Sequence, residues 1–124
     1  MAICDNSLFH VDVLAIDGVP IAIEESSATI TGLAGYENEV SVSATGPDAV
    51  KRKKVGRMIK AKLQLKNLKD IKLLSETCSA QITLRDTHSG QRVMFAQAAF
   101  AKLGDVGQGS VDIEFIGVSP PQYL

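Results

Sequence analysis

Metal or thiol chemistry in this sequence would have to start from His10, His88, Cys4 and Cys78, its only histidines and cysteines. A structural zinc site takes its ligands in tight pairs, about two to five residues apart. Here five residues separate Cys4 from His10, and nine separate Cys78 from His88. That spacing is poor for zinc. His88 reads instead as a turn residue, His10 as a strand surface residue, and Cys78 as a small buried apolar side chain. Nucleophilic catalysis has no better start. The sequence contains no G-x-S-x-G elbow, and Cys78 has no basic pocket readable around it. Glu24 and Glu25 are adjacent, which puts them on opposite faces of a strand and not together as a general acid and base. Gly104-Asp105-Val106-Gly107-Gln108-Gly109 is glycine-rich but lacks the Lys-Ser/Thr of a phosphate loop and opens no helix. It reads as a turn between strands. We therefore expect no enzyme, no metal and no cofactor.

The strongest chemical signal is charge. Residues 1–50 carry eight acids and no Lys or Arg. Residues 51–72 carry ten bases, beginning Lys51-Arg52-Lys53-Lys54, and one acid, Asp70. The rest of the chain holds three bases and five acids, so the net charge is only −1. A hidden separation of this size suggests a charged partner or self-complementary packing. One reading is a phosphate-tracking stripe over Lys51–Lys72. Against it, no aromatic interleaves the bases; the nearest are Tyr36 and Phe95, and only 5% of residues are aromatic. A second reading is a solvated face. A third matches the acids of one copy to the bases of another, a contact that builds rings or filaments.

The elements that must carry these charges are mostly strands. The 124 residues, 45% hydrophobic and 22% charged, fit one globular domain spanning 1–124 that can build a core unaided. No run of 18 apolar residues exists, and the N-terminus does not read as a signal peptide. In Phe9–Ala15 the alternation predicts Phe9, Val11, Val13 and Ala15 on one face. Asp17-Gly18-Val19-Pro20 is a turn, and Pro20–Gly32 a second strand, irregular near Glu24–Ser27 and clean at Ala28–Thr31, completing a hairpin. Gly35–Gly56 reads as a long loop of about 20 residues, with room for a short strand at Val40 and Val42; loops of that length are usually functional or partner-bound. From Arg57 to Lys66, Ile59, Ala61, Leu63 and Leu65 face inward and Lys60, Lys62, Gln64 and Lys66 outward. Residues 67–77 change to a helical period, with Asn67 as N-cap and Leu68, Ile71 and Leu74 inward. Cys78–Arg85 alternates with Cys78, Ala80, Ile82 and Leu84 inward. Asp86–Gly90 is a hairpin turn. The phase of Gln91–Lys102 slips near Ala96–Gln97, the mark of a bulge. Val111, Ile113 and Phe115 form the last inward face, and Pro120-Pro121 ends the sheet. The fold class is mainly β: a two-sheet sandwich or barrel-like domain with one flanking helix.

This layout resembles the tail tube proteins of contractile-tailed bacteriophages, of the Mu-like and P2-like type. The resemblance spans residues 8–119. It rests on the hairpin ending Ala28-Thr29-Ile30-Thr31-Gly32, on the long loop closing with Lys51-Arg52-Lys53-Lys54-Val55-Gly56, and on the ending Gly109-Ser110-Val111-Asp112-Ile113-Glu114-Phe115-Ile116-Gly117. The dense basic cluster and Cys4 depart from the family pattern. The resemblance implies a structural virion protein: stacked hexameric rings forming the hollow conduit for DNA ejection inside a contractile sheath. It implies as partners the sheath protein, the tape measure protein and genomic DNA in the lumen, and the baseplate and tail terminator proteins. It implies no membrane, with assembly in the host cytoplasm. On that reading the loop residues Tyr36, Glu37, Glu39, Asp48, Lys51, Arg52, Lys53 and Lys54 reach a neighbouring subunit or ring. Asp12, Asp112, Glu114, Lys60 and Lys62 are lumen candidates, because they lie opposite the apolar faces. Cys4 and Cys78 are candidates for cross-linking once a particle has left the reducing cytosol. The rivals are a nucleic-acid-binding β module using Lys51–Lys72 and a small ligand-binding barrel, which would need an apolar pocket with convergent polar groups.

Overall fold

In a computed structural model, residues 8–124 are described; Cys4 lies outside them. Among the described residues the chain is mainly β, with two sheets and one short helix. The first hairpin joins β1 (Val13–Ile16) to β2 (Val19–Ile21). Its two turn residues, Asp17 and Gly18, have φ of 52° and 82°, the doubly left-handed turn that matches the twist of a tight hairpin. The strand expected to run on to Gly32 with an irregularity at Glu24–Ser27 breaks outright there. Ser26 takes a φ of 60°, and the chain restarts as β3 (Thr29–Thr31) against a different partner. That partner is β6 (Arg57–Gln64), to which Ile23 also bridges at Leu63.

The remaining strands of the large sheet are β7 (Ala80–Arg85), β8 (Arg92–Leu103), β9 (Ser110–Gly117) and β10 (Pro121–Tyr123). The sheet runs β2-β1-β7-β8-β9-β6-β3, with β10 on β8. The 19–31 segment therefore pairs with β1 at its start and with β6 further on. The Glu24 N–H donates to the Lys62 carbonyl and the Gln64 N–H to the Ala22 carbonyl, at 2.8 and 3.0 Å. This one segment thus links both ends of the sheet around one apolar interior.

That interior is where the period-two patterns point. Ile59, Ala61 and Leu63 of β6 meet Ile113 and Phe115 of β9, Ile82 and Leu84 of β7, and Val93, Phe95 and Ala98 of β8. Each fully buried large side chain contributes roughly 1.5–3 kcal/mol. The slip in β8 is real: Ile82 faces Phe95 while Ala80 faces Ala98, so Ala96 and Gln97 together stand against Gln81, one residue more than β7 supplies. They re-phase β8 so that Phe95 and Ala98 both point inward.

Several expectations are corrected. In β1 the inward residue is Leu14, fully buried opposite Leu84, while Val13 and Ala15 are half-buried and Phe9 is exposed. Val13–Ile16 is apolar at both parities, so the partner strand, not the alternation, chooses the face. Helix α1 spans only Lys69–Ser75 and buries no residue. Leu68 and Leu73 are exposed, and only Leu74 packs on the core. Asn67 stands one residue before the N-cap, though its Oδ1 accepts the Lys69 N–H at 3.0 Å. Cys78 is exposed, not buried, because the inward alternation starts at Ala80. Pro121 does not end the sheet. It opens β10, where a missing N–H is harmless at the first residue of an added strand.

Candidate functional site

The segment expected to be a loop is an antiparallel ribbon, β4 (Tyr36–Ser41) with β5 (Ala49–Lys54), forming the second sheet. Every residue in both strands is exposed. Its root is set by two glycines: Gly32, at φ 73°, passes against the Gly56 carbonyl. From there the Gly35 N–H donates to the Gly32 carbonyl and the Val55 N–H to the Gly35 carbonyl. At the tip, Asp48 Oδ1 accepts the Ser43 N–H at 3.1 Å, and Ser43 Oγ accepts the N–H groups of Thr45 and Gly46.

Register divides the ribbon into two unlike faces. Glu37 lies opposite Lys53 and Glu39 opposite Lys51, with Lys53 Nζ 3.6 Å from Glu39 Oε1. Acid and base are matched on that face. The other face carries Tyr36 opposite Lys54, Asn38 opposite Arg52 and Val40 opposite Val50. There the Arg52 guanidinium sits 4.8 Å over the Tyr36 ring. Exposed ion pairs add only about 0.2–1 kcal/mol each, and a lone hairpin is marginal in water. The arm therefore gains most when something covers it. All eight predicted loop residues fall in this ribbon or, for Asp48, at its tip.

Four of the five lumen candidates also come together. On the outer face of β6 and β9, Lys60 lies opposite Glu114 and Lys62 opposite Asp112. Lys60 Nζ is 3.4 Å from Glu114 Oε1, and Lys102 of β8 flanks Glu114 from the other side. These side chains border an open recess of about 420 Å3. Asp12 stands elsewhere. Its carboxylate accepts the Thr87 N–H at 3.1 Å and the Thr87 hydroxyl, fastening the β7–β8 turn.

That turn holds the residue the sequence reading missed. Asp86 is only 2% exposed and is the one buried charged side chain among the described residues. Its Oδ1 accepts the N–H of His88 at 2.9 Å, and its Oδ2 accepts the Ser89 hydroxyl at 2.9 Å and the His10 N–H at 3.2 Å. Burial alone would push its carboxyl pKa up. The bond from Ser89 and the backbone N–H groups of His10, His88 and Ser89 outweigh that and hold it below the usual carboxylate value. An Asp opening a five-residue turn is an ordinary turn signal. What marks this one is a long-range partner, His10, and no local pattern announces it.

The two histidines thus serve through backbone N–H groups, with exposed side chains. The 104–109 stretch links β8 to β9, with the Gly104 N–H on the Asp112 carbonyl and the Gly109 carbonyl accepting from Leu65. Among the described residues no three His, Cys, Asp or Glu side chains gather as metal ligands. No protein-family model matches the chain, and no curated protein matches it. What the molecule presents is a set of surfaces: a two-faced arm, and a charge-paired patch on β6 and β9.

Proposed function

We propose that this chain is the repeating subunit of a hollow protein tube: the inner tail tube of a contractile-tailed phage, built of stacked hexameric rings. The observation that carries the reading is the β4–β5 arm. A ribbon exposed on both faces, rooted on a joined-up sheet, is poorly explained in a monomer and well explained as a reach to another copy. The charge-paired patch supports it. With Lys60 neutralised by Glu114 and Lys62 set opposite Asp112, that face suits a bore through which a polyanion slides without sticking. The sheath and tape measure proteins are the partners this reading supplies. Negative-stain electron microscopy of the purified chain tests it: hollow tubes about 10 nm across or less are expected, on the scale of a ring of domains this size. A stable monomer by light scattering at micromolar concentration overturns it.

The second reading, a nucleic-acid-binding β module, has one observation in its favour. Arg52 over Tyr36 is the kind of base–aromatic pair on which single-stranded bases stack. Against it, Lys51, Lys53 and Lys60 already face or meet carboxylates. Filter binding whose affinity falls steeply with salt would favour this reading over the tube.

A further inference from the structure

The acid-free face of the arm has a complementary surface on the same chain. Phe9, Leu33, Val93 and Tyr123, with Gln91 and Arg92 beside them, line a groove of about 270 Å3. Through Phe9 and Leu33 it continues into a second recess of about 380 Å3 floored by Ala28 and Ile30. Past His10 and Val11 it ends in a third, smaller recess whose charged walls are Asp12, Glu24 and Glu25. The surface thus grades from a mainly apolar end, whose one charge is the base Arg92, to an acidic one. The arm face grades in a matching sense, from Val40 and Val50 near the tip, 69% and 72% exposed, to Arg52 and Lys54 on the stem. No acid on that face offsets those two bases.

The arm cannot reach its own groove. Leu33 lies two residues before Gly35, at the arm's root, and a paired strand rises about 3.3 Å per residue. Val40, five residues beyond Gly35, is therefore held roughly 16 Å out along the ribbon. The arm that fits this groove must come from another molecule, and the one with the matching chemistry is a second copy of this chain. We propose that the Val40–Val50 face of the arm docks in the Phe9–Leu33 groove of a second copy, with Arg52 and Lys54 toward its Glu24 and Glu25. The inference rests on reading the arm as an assembly element. Arm and groove are different surfaces, so the contact is heterologous and propagates into rings or filaments.

The test places the photo-cross-linker p-benzoylphenylalanine at exposed position 40 in unlabelled protein, mixed with 15N-labelled wild type. Cross-links from position 40 to residues 8–12, 28–33 or 121–124 of the other isotope are expected. Cross-links confined to one chain, to residues 1–7 or to other surfaces, or no cross-links, overturn the docking. A second measurement uses Val40→Asp and the exposed Phe9→Asp, both checked for unchanged far-UV circular dichroism. Each variant alone should stay monomeric. Their equimolar mixture should double in mass and stop there, since only one arm–groove pair remains competent. Unimpaired polymerisation of Phe9→Asp overturns the groove while leaving a wild-type tube intact. Arm-to-groove cross-links without any hollow tube support the docking and sink the tube.

Discussion

Gly32 faces the carbonyl oxygen of Gly56 so closely that a Cβ on Gly32 would stand 2.1 Å from that oxygen. The φ of 73° at Gly32 adds a second demand that only glycine meets cheaply. These two residues bring the start and end of the arm together where it leaves the large sheet. Gly32→Ala should therefore cost about 2–4 kcal/mol, from left-handed backbone strain plus a backbone clash. Urea unfolding checks this: a midpoint within error of wild type would mean the root is not clamped as described.

Gly117 is constrained by packing, not by its φ. A Cβ there would lie 2.8 Å from the ring of Phe95, which is fully buried, and 3.2 Å from Arg57 Cβ. Gly117→Ala should cost about 1–3 kcal/mol, because the Phe95 ring has nowhere to retreat. Gly107→Ala, with open space around it, should be within about 0.5 kcal/mol of wild type. Equal melting temperatures for the two variants would refute the difference in packing.

The contrast between β6 and β1 shows what the sequence could carry. Ile59, Ala61 and Leu63 alternate with Lys60, Lys62 and Gln64, so one face is apolar and one charged, and the phase is unambiguous. The bulge in β8 was legible for the same reason, since Val93/Phe95 and Ala98/Phe100 cannot share one unbroken period. In β1 both parities are apolar, and only the pairing of Leu14 with Leu84 decides. The irregularity at Glu24–Ser27 was legible, but the change of partner to β6 beyond it and the addition of β10 to β8 depend on partners distant in sequence. In the sequence the arm looks like a loop because it has no core-facing side. Its strand pattern is Glu against Lys, which looks like any charged surface until register places Glu37 across from Lys53. Asp86 shows the same limit, because its partner His10 is 76 residues away.

Asp86 should give the fold an acid-sensitive joint. Its folded pKa is lowered, so its contribution is fully present above the unfolded value of about 3.9 and is lost as pH falls through the folded value. The wild type should lose thermal stability below about pH 4. Asp86→Asn should melt lower at neutral pH, where the carboxylate's acceptor strength for His10, His88 and Ser89 is reduced. It should also show a shallower fall between pH 5 and 3, both read against the carboxylate range of about 3.5–4.5. Parallel melting curves for the two proteins across that range would show that another carboxylate carries the acid sensitivity.

Removing the arm should separate folding from assembly. None of the core side chains comes from residues 36–54, and β4 and β5 pair only with each other. Deleting Glu39–Lys53 should therefore leave the far-UV β signal, and shift the stability of the large sheet by less than about 1 kcal/mol, the range of surface changes that touch no core group. The valine face and the bases Arg52 and Lys53 go with the deletion, so self-association should disappear. Replacing Val40 and Val50 by Thr keeps the ribbon's β propensity while removing apolar surface, and should weaken association by a smaller amount. Light scattering and electron microscopy read both variants. Normal tubes from the deletion would refute the arm's role in assembly, and an unfolded deletion would refute its independence from the core.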